Sequence, residues 1–177
     1  MPNQISIQYH PTALGELMIG SLNDQLCLCD WRYRKMRGAV DKRLQQHLDA
    51  SYIEQSSPVI KESIQQIDAY LSGKLKTFSI PLLLAGTNFQ QSVWEALVQI
   101  PYGTTCSYLE LSKKLGDEKA IRAVAAANGA NAISIIVPCH RIIGNDGKLI
   151  GYAGSLLAKQ KLLQIEGINI NNQLNLF

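Results

Sequence analysis

Cys139 and His140 are adjacent in the hexapeptide Ile136-Val137-Pro138-Cys139-His140-Arg141, at the end of an apolar run that begins at Ile133. A thiol does nucleophilic chemistry only as the thiolate. Burial by itself raises its pKa and leaves it inert, whereas a nearby base, cation or helix N-terminus favours the reactive form. The pair is therefore either a quiet core cysteine or an activated nucleophile, and these two residues alone leave both readings open. Cys27, Cys29 and Cys106 have no zinc-ribbon or zinc-finger spacing, so no metal is expected. Cys27 and Cys29 read as small residues of a strand. His10 and His47 belong to no motif and read as surface or core side chains.

The elements that must position this pair follow from length and pattern. A chain of 177 residues makes one ordinary domain or two small ones with real cores. Its 46% hydrophobic and 18% charged residues place it among globular proteins rather than disordered ones. No apolar stretch is long enough to span a bilayer. Met1-Pro2-Asn3-Gln4 does not open a secretory signal. A cytoplasmic location with free thiols is expected, and no cofactor is implied. The net charge of +3 lies wholly in residues 101–177, because basic and acidic side chains balance over the first hundred. That bias is compatible with a nucleic-acid surface without proving one.

Residues 1–85 read as strands followed by helices. Ile5, Ile7 and Tyr9 alternate with polar residues, as do Leu17 and Ile19. Leu26 and Leu28 alternate with Cys27, Cys29 and Trp31 on the opposite face. A helix is expected across about 39–50, and a second from the cap Ser57-Pro58 to Gly73. Residues 74–86 read as a strand and a connector, with a boundary near Ala85-Gly86.

Residues 86–170 are more tightly punctuated. Thr87 with Gln90 and Ser107 with Glu110 are capping boxes, each opening a helix. Asp117 caps a further helix that Gly129 should terminate. Two short helices joined at Gly116-Asp117 form a helix-turn-helix pattern. Asn145-Asp146-Gly147 is a tight-turn signal like the hairpin of a winged helix. Ser155 caps a last helix ending at Glu166-Gly167, and 171–177 reads as a loose tail. The second helix of the pair, Ala120–Asn128, is mostly alanine. Such a surface suits close helix packing, or close approach to a narrow groove with Arg122 as a wedge.

Together these segments resemble the O6-alkylguanine-DNA alkyltransferases, the methylated-DNA–protein-cysteine methyltransferases. The resemblance is carried by Ile136–Arg141, Phe89-Gln90 with Val93-Trp94, Ile100–Gly103, Ser107-Tyr108 and Ala120–Val124. It continues through Asn128–Asn131, Gly151–Gly154 and Leu162-Leu163 with Glu166-Gly167. It is strong over 87–168 and nearest to the short bacterial constitutive form. Ala132 stands where that family commonly has proline, and Gln160-Lys161 where many members have an acidic residue and tryptophan.

The resemblance implies an α+β fold, with a small antiparallel sheet and helices (ribonuclease-H-like) followed by a helix-turn-helix, winged-helix-like domain. It implies a monomer that repairs double-stranded DNA containing O6-alkylguanine, and O4-alkylthymine as well. The protein would move the alkyl group irreversibly to Cys139, once per molecule, with no obligatory protein partner and no membrane. His140 would act as base through a water, Glu166 would orient it, Tyr108 would donate to the purine, and Asn131 would brace the loop before Cys139. Arg122, Ala123, Ala126, Ala127 and Asn128 would meet the minor groove while the base is extruded. Ser134, Ile142, Tyr152, Ala153 and Gly154 would shape the base pocket. The competing readings are a damage sensor or DNA-binding regulator that transfers nothing, and a cysteine hydrolase. The first would lack the acceptor thiol, and the second would separate nucleophile from base in sequence.

Overall fold

Alternation over the first thirty residues is realised as three antiparallel strands, β1 (Asn3–Thr12), β2 (Gly15–Leu22) and β3 (Gln25–Trp31). The computed structural model describes residues 2–170; the 171–177 tail lies outside the described residues. Helix α1 (Arg37–His47) follows, then β4 (Ala50–Glu54). The sequence pattern gives no sign of β4, which returns beside β1 in parallel. The sheet order is therefore β3-β2-β1-β4: the antiparallel meander is as expected, and a parallel edge strand is added.

Strict alternation fails on β3. Leu28 pairs with Gly20 and Leu26 with Ser21, so Cys27 is the extra residue of a bulge. Leu26, Cys29 and Trp31 consequently share one hydrophobic cluster, and Cys27 and Leu28 the other. Both sheet faces are buried, with Leu17 and Ile19 facing one cluster and Ile5, Ile7 and Met18 the other. All four cysteines are buried free thiols.

Helix α2 (Pro58–Leu71) starts at Ser57, whose hydroxyl accepts from Ile60 N, and it buries Ile60, Ile67 and Tyr70. The strand expected within 74–86 reduces to one bridge, Leu26 to Leu82. Helix α3 (Asn88–Val98) opens with the Thr87–Gln90 capping box, and Trp94 on it donates Nε1 to the Ala127 carbonyl at 2.8 Å.

Beyond α3 lie β5 (Cys106–Ser107) and α4 (Tyr108–Lys114), the latter opened by the Ser107–Glu110 box. Asp117 caps only a 3-10 turn over Glu118–Ala120. Helix α5 (Ile121–Gly129) follows and includes Gly129, which does not stop it. The Asn-Asp-Gly turn forms, with the Gly144 amide donating to the Lys148 carbonyl at 2.8 Å. It carries no antiparallel ribbon, however. The adjoining β6 (Ile142–Ile143) instead pairs in parallel with β5. Helix α6 (Leu156–Ile165) completes the order, capped by Ser155. No helix among the described residues is long and apolar enough to cross a membrane.

The two halves of the chain are joined at β3. Its free edge takes the Ala132–Ser134 segment as a short extension: Cys29 N donates to Ala132 O at 2.8 Å and Ser134 N to Cys29 O at 2.6 Å. The loop that leads to Cys139 is thus hydrogen-bonded to the N-terminal sheet.

Candidate active site

Cys139 opens a 3-10 turn, Cys139–Arg141, and is 5% exposed at the floor of a cavity of about 700 Å³. Burial raises its pKa. A hydrogen bond from Asn131 and the charge of Lys159 act in the opposite direction. The loop before it is tightly wound: Ile135 sits at φ 73°, a conformation β-branched residues avoid. Asn131 accounts for that shape. Its Oδ1 accepts from Ile133 N at 2.9 Å, and its Nδ2 donates to Val137 O at 2.9 Å.

The next residue, His140, is fully buried and enters an ionic cluster. His140 Nε2 lies 3.0 Å from Glu166 Oε1 at the C-terminal end of α6. A carboxylate only accepts, so Nε2 carries the proton and Nδ1 is left as the basic nitrogen. Nδ1 is buried and has no protein hydrogen-bond partner. Burial lowers the His140 pKa against the opposing pull of Glu166, which keeps the ring neutral.

Glu166 is over-determined. Arg141 donates Nε to its Oε2 at 3.0 Å and Nη2 to its Oε1 at 2.8 Å, Tyr70 OH donates at 2.6 Å, and the Gly103 amide at 3.1 Å. Burial would raise its pKa. The donors outweigh that and hold the carboxyl far below the usual range. Charge at that helix end is unfavourable on its own, and Arg141 supplies the offset.

Tyr70, Arg141 and Gly103 were not among the expected site residues. Arg141 stands inside the hexapeptide, so its sequence position was a usable signal. Tyr70 carried none, because it reads as the apolar face of α2.

The cavity over Cys139 has three walls. Tyr108, Ala125 and Asn128 come from α4 and α5. Tyr152, Ala153 and Gly154 come from the segment before α6. Tyr33 to Met36 come from the β3–α1 connection. Burial raises the Tyr108 pKa, keeping the phenol a donor. Gly154 is required by its neighbour: a Cβ there would fall 2.5 Å from the Trp31 ring. Trp31 also meets Tyr152 edge to face, with ring centroids 6.0 Å apart.

Two expected pocket residues lie elsewhere. Ser134 Oγ turns toward the N-terminal half and donates to Asp30 Oδ1 at 3.1 Å. Ile142 is fully buried in β6, away from the cavity lining. On α5, Arg122, Ala123 and Ala126 are exposed on one face. Ala127 and Asn128 are only 3% and 8% exposed, so they do not belong to that face. Ala127 packs toward Trp94, and Asn128 borders the cavity with an unpaired Oδ1. Alanine on this helix thus serves both packing and exposure, on opposite sides.

The N-terminal half holds the exit of α5. Arg34 donates to the Gly129 carbonyl at 2.7 Å, and Arg43 donates to that of Ala130. Buried Asp30 in turn binds Arg34 at 2.9 Å and Arg37 at 3.0 Å.

Both halves of the chain resemble known proteins. Residues 7–84 match the ribonuclease-like domain of 6-O-methylguanine DNA methyltransferase, and residues 88–168 match its DNA-binding domain. The constitutive methylated-DNA–protein-cysteine methyltransferase of Bacillus subtilis is 41% identical over 168 residues, covering 92% of this chain and 98% of that protein. The Methanosarcina barkeri protein of the same name is 48% identical over 123 residues, covering 70% and 77%. The crystal structure of Mycobacterium tuberculosis OGT in complex with DNA superposes with a TM-score of 0.75 at 36% identity, covering 92% of each chain. The chain therefore belongs to the methylated-DNA–protein-cysteine methyltransferase family.

Proposed function

We propose that this protein repairs DNA by taking the alkyl group of O6-alkylguanine onto Cys139. The observation that carries this is the pairing of a cavity-floor thiol with a neutral imidazole whose Nε2 is committed to Glu166 and whose Nδ1 is free. Nδ1 accepts the thiol proton through a water. The thiolate attacks the alkyl carbon, the S–C bond forms and the C–O6 bond breaks. The electron pair passes to the guanine, and Tyr108 donates a hydrogen bond or proton to the purine ring as that charge develops. The imidazolium is stabilised by Glu166. No group in the site reverses a thioether, so each molecule acts once.

The base reaches Cys139 only after leaving the duplex. The exposed face of α5, with small Ala123 and Ala126, lies in the minor groove, and Arg122 fills the vacated stack. Asn128 and the segment Tyr152–Gly154 flank the entering base. Double-stranded DNA is the partner.

The deciding experiment incubates the protein with excess duplex carrying radiolabelled O6-methylguanine and maps the label by peptide mass. One equivalent on Cys139, with none transferred to Cys139→Ala although that variant still binds DNA, is the expected result. Residual transfer by Cys139→Ala would overturn the assignment. Binding without transfer by the unmodified protein would make it a damage sensor.

A further inference from the structure

Lys159 is fully buried on α6, a position where lysine is rare. Its Nζ donates to the carbonyls of Ile150 at 2.9 Å and Gly151 at 3.2 Å. These carbonyls begin the segment that supplies Tyr152, Ala153 and Gly154 to the cavity over Cys139. Trp31 packs against Tyr152 and Gly154, but the backbone of the segment has few partners. Among the described residues, its backbone makes one internal hydrogen bond, Ser155 N to Tyr152 O at 3.3 Å. It also ends in strain: Ser155 adopts φ 121° and ψ 158°, a region otherwise reserved for glycine. A strained, ladderless segment persists only where something over-determines it. The Lys159 ammonium, reaching back from the first turn of α6, is placed to do so.

We propose that Lys159 is a positioning residue that latches residues 150–154 against α6 and so sets the wall of the cavity in which Cys139 reacts. The proposal rests on the alkyl-transfer reading of that cavity, and its test includes a measurement independent of transfer.

The latch is sensitive to pH. Burial lowers the Lys159 pKa to about 8, with Cys139 opposing the shift. Cys139 and His140 are the titratable groups of the neighbouring turn that couple to it. Tyr152 of the latched segment, and Asp30 and Arg34 of the N-terminal half, couple to Cys139 in turn. Above about pH 8 the amine is neutral and its bonds to the two carbonyls lose their charge assistance. Global stability moves in the opposite direction. The folded pKa lies below the unfolded value of about 10.4, so the cost of burying the charge is complete below about pH 8 and relieved as pH rises to about 10.4. A residue with a purely structural role would loosen the segment and the protein together.

The test compares the unmodified protein with Lys159→Met and Lys159→Arg. Amide hydrogen exchange of the 148–156 region is followed at pH 7 and pH 9, corrected for intrinsic rates. Single-turnover transfer from O6-methylguanine duplex is followed across the same range. Lys159→Met should lose protection in this region alone and react about tenfold more slowly at pH 7. Lys159→Arg should restore both and abolish the break near pH 8. In the unmodified protein, protection there should fall between pH 7 and pH 9 while that of the rest holds or rises. That comparison decides the matter if Lys159→Met does not fold. Unchanged protection in the unmodified protein and in folded Lys159→Met would overturn the latch. Lost protection with an unchanged rate would overturn the positioning role. Absence of transfer by the unmodified protein would overturn the alkyl-transfer reading and leave the exchange result standing.

Discussion

Glu166 is the hub of the buried ionic cluster that includes His140. It accepts from His140, Arg141, Tyr70 and the Gly103 amide. Replacing it with glutamine keeps the shape but leaves Arg141 a buried cation without a counter-charge. Glu166→Gln should therefore cost about 3 kcal/mol, read from chemical denaturation, and slow transfer by at least about tenfold because the imidazolium loses its partner. The acid limb gives a second readout. The folded pKa is depressed, so the carboxylate's contribution is complete above the unfolded value of about 4.3 and is lost as pH falls through the lower folded value. The unmodified protein should lose stability below about pH 4.3 through this group, and Glu166→Gln should be flatter over the same window. Parallel curves would show that Glu166 contributes no pH-linked stability.

Helix α5 works as an element with two sides. Its buried side, Val124 and Ala127, packs into the core; its outer side, Arg122, Ala123 and Ala126, is free for a groove. The division predicts distinct outcomes. Arg122→Ala should leave the fold intact, since the side chain is exposed. It should slow transfer from duplex on the order of tenfold or more, because extrusion costs a few kcal/mol, while reaction with free O6-alkylguanine base stays near that of the unmodified protein. Equal losses on both substrates would argue against a role in extrusion. The helix depends on its setting for more than exposure. Its last carbonyls, which face solvent or a cap in an isolated helix, are taken here by Arg34 and Arg43 of the N-terminal half.

At the scale of the molecule, the first half of the chain is bonded to the candidate site at several points. β3 pairs with the loop before Cys139, Trp31 buttresses Gly154 and Tyr152, Tyr70 bonds Glu166, and Asp30 gathers Arg34, Arg37 and Ser134 across the junction. Asp30→Asn should cost about 3 kcal/mol by leaving two guanidinium groups undercompensated around a buried site. It should also slow transfer, because Arg34 then holds the end of α5 less firmly. Glu16→Gln, which breaks the half-buried surface pair with Arg32, should shift the melting midpoint little and leave transfer unchanged. A transfer rate unaffected by Asp30→Asn would mean that the junction is structural only.

What the sequence determined by itself was local. Ser57, Thr87 with Gln90, and Ser107 with Glu110 announce their helices because a cap is a bond between residues three apart, complete within a few positions. The ordered motifs singled out Cys139 and its neighbours for the same reason, and Asn131 closes its bonds within six residues. What only the tertiary structure decided was direction and long-range company. Period-two alternation could not foresee the Cys27 bulge, which moves Leu28 to the other face from Leu26. Composition could not foresee β4 returning parallel to β1. An alanine-rich helix could not reveal that Ala127 faces the core, nor could the loop sequence show Ser134 turning to Asp30. Tyr70 reaches Glu166 across 96 residues, and Lys159 finds two carbonyls on a segment with no periodic signal. Such contacts depend on where packed elements bring side chains in space, and no pattern along the chain encodes that one residue at a time.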